Sequence, residues 1–208
     1  LDCFSGDIIV ILYLLMIPSV VYMLGASASG NVVAGLGVSR EMKLMLSYEL
    51  PLVTSVLVPV IKSSSIRISD IMTFSSKQPV ILSFSGVIAF FVMIICFQAK
   101  LGLVPFDMAE AEQELAGGIL IEYSGILLGI IKLTKQILYS IVPLFLILMF
   151  FPADKLLSWV VRYLLVLLLF ILIRNTNPRL KIDQSINFFW KIIFPISLVG
   201  VLLAMKGL

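Results

Sequence analysis

The 208-residue chain is 61% hydrophobic and 13% charged, with a mean hydropathy of +1.15, which excludes a soluble globular domain and describes a polytopic helical membrane protein. A net charge of +3 spread over loops argues against nucleic acid as a partner. There is no histidine, so His-ligated haem, most zinc sites and histidine acid–base chemistry are excluded, and Cys3 and Cys96 stand too far apart for an iron–sulfur spacing or a disulfide framework. Ionisable chemistry must run on carboxylates, lysine, arginine and tyrosine.

The first apolar run, Ile8 to Leu24, is long enough to span and holds Pro18 as a tolerated kink. No basic segment precedes it, so no signal peptide is expected. The small residues of Gly25 to Gly37 are expected to carry the chain along one membrane surface to Arg40, Glu41 and Lys43. A short second span follows SYELP and ends near Ile61, with Pro51 and Pro59 predicting a broken or tilted helix. Lys62 to Lys77 reads as a Ser-rich polar loop, and Val80 to Gln98 as an unbroken third span. Gly117 and Gly118 signal a helix stop before a long fourth span, Tyr123 to Phe151. After a PADK turn, Leu156 to Ile173 forms the fifth span, and the polar RNTNPRLKIDQ precedes a sixth, Phe188 to Ala204. The fold class is therefore all-α, with residues 1–208 forming a single integral membrane domain of six spans.

Six spans place the Arg40 segment, the stretch Pro105–Gly125 and the Arg174–Lys191 segment on one side, with both termini on the other. Arg40, Lys43, Lys100, Arg174, Arg179, Lys181 and Lys191 outnumber Lys62, Arg67, Lys77, Lys155 and Lys206, which makes the first side cytoplasmic.

The chemistry is concentrated in PFDMAEAEQELAGGILIEYSG. Asp107, Glu110, Glu112, Glu114 and Glu122 make up five of the chain's 12 acidic residues. On a helix, Asp107, Glu110 and Glu114 share one face, where like charges each cost about 0.2–0.5 kcal/mol. Two readings stand: a relay of carboxylates passing ions inward, or a solvated loop marking the water boundary. Glu49 is the sharper single residue, because it enters the bilayer just ahead of Pro51, and an intramembrane carboxylate is a functional candidate by default. Lys132 and Lys135 either face a polar cavity or snorkel from the first turns of an over-long helix. Arg162 reads as snorkelling; Arg174, Arg179 and Lys181 read as a charge anchor; Tyr22, Trp159 and Trp190 read as interface aromatics.

SYELP, the PFD-x-x-EAE-x-EL…EYSG stretch and NPRLKIDQ, in that order, resemble the membrane protein of respiratory complex I called subunit 1, the H subunit of the bacterial complexes, with relatives in membrane-bound nickel–iron hydrogenases and formate hydrogenlyase. The resemblance covers essentially the whole chain and implies the third to eighth spans of an eight-span family, so a mature protein longer than 208 residues is expected. It implies one component of a hetero-oligomeric complex in the prokaryotic cell membrane, with peripheral hydrogenase-like and antiporter-like membrane partners. The chain itself is expected to hold no redox centre or cofactor; iron–sulfur clusters and a nickel–iron centre would belong to the partners.

Carried over, the resemblance assigns ion coupling to Glu49, Asp107, Glu110, Glu112, Glu114 and Glu122, with Arg40; Lys132 and Lys135 are expected to join them, and Arg174, Arg179, Lys181 and Asp183 to meet the peripheral arm. Quinone-reducing members usually carry Asn-Arg shortly before PFD, where this chain has Gly102, Leu103 and Val104. That difference points to the hydrogenase type. The alternatives are a quinone-reducing complex I, a related sulfur-reducing complex, a stand-alone ion transporter and a passive anchor.

Overall fold

The computed structural model describes residues 7–108, 118–152 and 156–207. Glu110, Glu112, Glu114, Gly117 and most of the expected PADK turn lie outside the described residues, as does Cys3. Every regular element among the described residues is helical.

Helix α1, Asp7–Ala28, runs about 33 Å at 1.5 Å per residue, enough to cross a bilayer. Asp7 sits in its first turn, complementing the helix dipole. Ile8, Leu15, Ser19 and Ala26 form one buried stripe, while Tyr13, Leu14 and Leu24 face outward. The chain turns at Gly30, whose φ of +69° suits a residue without a Cβ, and Asn31 caps the next helix by accepting the Val33 N–H at 2.8 Å.

Helix α2, Val32–Ser63, corrects two expectations. The small-residue stretch is not wholly a surface connector, since Val32 to Gly37 are already helical. The second span is neither short nor interrupted: 32 residues run continuously through Pro51 and Pro59. Hydroxyls beside the prolines bond the local carbonyls, as a transmembrane helix requires. Thr54 Oγ1 lies 3.0 Å from the Leu50 and Pro51 carbonyls and 2.7 Å from Ser197 Oγ.

The expected polar loop contains helix α3, Ile68–Lys77. Its serines hid an amphipathic pattern in which Ile71 and Ser75 are buried, one turn apart, and Asp70 lies in the first turn. The third span is likewise divided. A single 3₁₀ turn, Val80–Leu82, ends at Ser83, which caps helix α4, Phe84–Lys100. A Cβ at Gly86 would overlap the Val80 carbonyl oxygen, so this close approach depends on glycine.

Helix α5, Gly125–Phe150, is 26 residues long, shorter than the expected fourth span. Helix α6 is Leu156–Thr176, and helix α7, Ile182–Met205, starts earlier than expected and includes a π turn at Phe189–Ile193. Five of these helices are long and apolar enough to span a membrane, and α4 is a shorter apolar one. That agrees with a polytopic helical membrane protein.

α2, α4 and α7 pack most extensively on one another. Their core is aromatic: Phe189 of the π turn lies 6.3 Å from Tyr48 and 5.0 Å from Phe106, ring centre to ring centre. Tyr48, Phe97 and Phe189 are fully buried. The C-terminal turns of α4, Cys96 through Lys100, are buried all round, so α4 ends inside the bundle.

A line of charge as the candidate functional site

α2 carries Arg40, Glu41, Tyr48 and Glu49. Glu41 and Glu49 lie on roughly one side of it, a little over two turns or about 12 Å apart. Facing them is the last residue of α4. Lys100 is 8% exposed, and its Nζ stands 5.5 Å from the centre of the Tyr48 ring. Such a cation–π contact contributes about 0.5–2 kcal/mol. Among the described residues, Glu49 and Glu41 are the carboxylates whose charges act on this ammonium. The sequence alone counts Lys100 as a loop charge, whereas the structure makes it the buried last residue of α4.

Beyond Lys100, Gly102 turns the chain with φ +61°. Gln98 Nε2 donates to the Val104 carbonyl at 2.9 Å, and the Leu180 N–H donates to the Pro105 carbonyl at 3.0 Å. These bonds hold the PFD segment against the loop before α7. Asp107 accepts from Arg179 Nη2 at 3.1 Å, and Arg40 Nη1 reaches the Met108 carbonyl at 3.5 Å.

Three adjoining cavities follow. An outer cleft is lined by Arg40, Asp107, Arg179, Lys181 and Asp183. An inner cavity is lined by Asp107, Ser19, Tyr22, Glu41, Lys135 and Lys100, with about 30 Å³ of room for water centres. A deeper one, about 10 Å³, is lined by Lys100, Tyr48, Glu49 and the apolar Leu12, Leu15 and Leu52. A cavity of roughly 10–15 Å³ admits one water. Asp107 is common to the outer two and Lys100 to the inner two, so charged side chains stand at both partitions.

The expected coupling residues therefore separate. Asp107, Arg40 and Glu49 join this line, and Lys135 joins it through the inner cavity, its Nζ lying 5.9 Å from the Tyr22 ring centre. Lys132 and Arg174 instead line a groove between α5 and α6, which Lys135 also borders. Arg174 is thus apart from Arg179, Lys181 and Asp183. Glu122 lies at the α1–α2 turn, accepting a short hydrogen bond from Asn31 Nδ2. Arg162 Nη1 donates to the Pro152 carbonyl at 2.7 Å, with its guanidinium 5.5 Å from the centre of the Phe151 ring. Sequence reasoning missed Lys100, Tyr48 and Glu41. Apolar residues flank Lys100 on both sides, from Phe84–Ala99 and from Leu101, Leu103 and Phe106, a pattern shared with an ordinary snorkelling end.

Long apolar helices packed around a line of charged side chains define a class, that of polytopic helical membrane proteins. Residues 1–205 match the family model described as NADH dehydrogenase, and the chain belongs to this family. The H subunit of the NADH-quinone oxidoreductase of Geobacillus thermodenitrificans is 34% identical over 189 residues, 86% of this chain and 56% of that protein. The corresponding protein of Carboxydothermus hydrogenoformans is 30% identical over 211 residues, 95% of this chain and 60% of that protein. The chain thus spans little more than half the length of these relatives. A solved chain of the membrane-bound sulfane sulfur reductase, an archaeal respiratory membrane complex, superposes with a TM-score of 0.90 at 26% identity, over 97% of this chain and 70% of that one.

Proposed function

We propose that the chain is the membrane component of an energy-converting redox complex that anchors a peripheral electron-transfer arm and couples its chemistry to proton or sodium movement. The observation that carries this reading is the run of three cavities from the Arg40–Asp107–Arg179 cleft to Glu49, with Asp107 and Lys100 at the partitions. A passive anchor has no use for a buried lysine facing two carboxylates. The mechanism is electrostatic. A charge change at the outer cleft alters the Asp107–Arg179 pair, which shifts the balance of charge at Glu41 and Lys100 and then at Glu49. Arg179, Lys181 and Asp183 border the cleft against which the peripheral arm docks.

The arm is of the hydrogenase type, and its partner proteins carry the iron–sulfur clusters and a nickel–iron centre. Support comes from the segment between Lys100 and Pro105. Leu103 is buried there and Gly102 turns the chain, in the place where quinone-reducing members favour Asn-Arg. A sulfur-reducing arm is the second reading, favoured by the likeness to the sulfane sulfur reductase chain. Purification of the intact complex separates the readings. About one nickel per complex with hydrogen evolution supports the first, and sulfide production without nickel supports the second. Quinone reduction with sensitivity to quinone-site inhibitors overturns both.

A further inference from the structure

Lys100 is the residue common to the inner cavity, which holds Glu41, and the deeper cavity, which holds Glu49. It is buried, it closes a helix whose last turns are enclosed on all sides, and it lies against the ring of Tyr48. Among the described residues, no other that lines the Glu49 cavity also lines the Glu41 cavity. An ion passing between these carboxylates through the bundle meets this side chain. On the coupling function proposed above, we infer that Lys100 is the proton-carrying link between Glu41 and Glu49.

The step balances without any outside reactant. One N–H bond of the Lys100 ammonium breaks and an O–H bond forms on the Glu49 carboxylate. The neutral amine then takes a proton from the Glu41 carboxyl, which restores the ammonium and leaves Glu41 as a carboxylate. Glu41 is refilled from the inner cavity, where Asp107 and Lys135 stand at its wall. One proton moves from Glu41 to Glu49 and Lys100 ends as it began. A lysine in a buried site can release its proton, whereas a guanidinium keeps its charge throughout the accessible pH range. That difference separates a carrier from a fixed charge.

The test uses the whole complex in vesicles and reads protons moved per electron transferred, a ratio that slower turnover alone does not change. Lys100→Met and Lys100→Arg are both expected to lower it at least tenfold, the arginine giving no rescue although it preserves the charge. If Lys100→Met prevents assembly, Glu41→Gln reads the same link with the lysine in place, and it too should lower the ratio at least tenfold. A near-normal ratio in Lys100→Arg, in Lys100→Met or in Glu41→Gln overturns the inference. Glu49→Gln separates the two levels of failure. If it abolishes the ratio while a Lys100 variant is normal, the link alone fails; if it too is normal, the coupling function fails with it.

Discussion

At the scale of single residues, the contacts differ widely in what they contribute. Arg179 is 45% and Asp107 19% exposed, so their ion pair is screened by water. A double-mutant cycle on Asp107→Asn and Arg179→Ala, read by thermal unfolding in detergent, is expected to give only about 0.2–1 kcal/mol of coupling, shrinking as salt rises. A larger, salt-insensitive value would show a pair far better shielded than its exposure indicates. This pair matters more for where it stands than for stability, since Asp107 forms part of the wall between cleft and inner cavity. Lys100 is the opposite case, held inside the bundle where charge is expensive. Asp107 and Glu49 were legible in the sequence because a carboxylate beside an apolar run is conspicuous. Lys100 was not, because a lysine closing such a run looks like an ordinary snorkelling end. Only the packing of α4 against α2 shows that this end is enclosed.

At the scale of elements, the long apolar runs of α1, α5 and α6 disclosed themselves, and their ends shift by only a few residues. The errors fall where composition and environment part company. Gly, Ala and Ser at the start of α2 looked like a connector, yet in the fold they are helix turns closed by the Asn31 cap. The serines of α3 masked a two-residue buried stripe. The break at Ser83 was invisible within an apolar run, because one cap hydrogen bond and one close backbone approach produce it. That approach is testable. Gly86→Ala places a methyl group against the Val80 carbonyl and is expected to cost about 1–3 kcal/mol or more, seen as a clear fall in melting temperature. Gly129→Ala on α5, with nothing within 4 Å of its added Cβ, is expected to be neutral or stabilising by up to about 1 kcal/mol. Equal effects at the two positions would contradict the packing described for the start of α4.

At the scale of the whole molecule, the bundle is lopsided. α1, α2 and α4 line the Glu49 cavity, while α6 buries only Val166 and Phe170 and turns Leu164, Leu168 and Leu172 outward. Outward apolar faces of this kind belong against lipid or neighbouring membrane helices. Leu168, near the middle of α6 and 54% exposed, is therefore expected to tolerate alanine. Arginine there should lower membrane insertion through a cost of about 2.5–3.5 kcal/mol, measured by a glycosylation or protease-protection assay. Normal insertion of Leu168→Arg would show that this face meets water. On the function proposed above, the inner terminus of the charge line is Glu49. Glu49→Gln preserves shape and removes the titratable group. The most direct measurement is the ion gradient built per electron transferred by the intact complex in sealed vesicles, wild type beside Glu49→Gln. The account expects a complex that assembles with its peripheral arm and transfers electrons while the gradient per electron falls at least tenfold; an unchanged gradient per electron would contradict it.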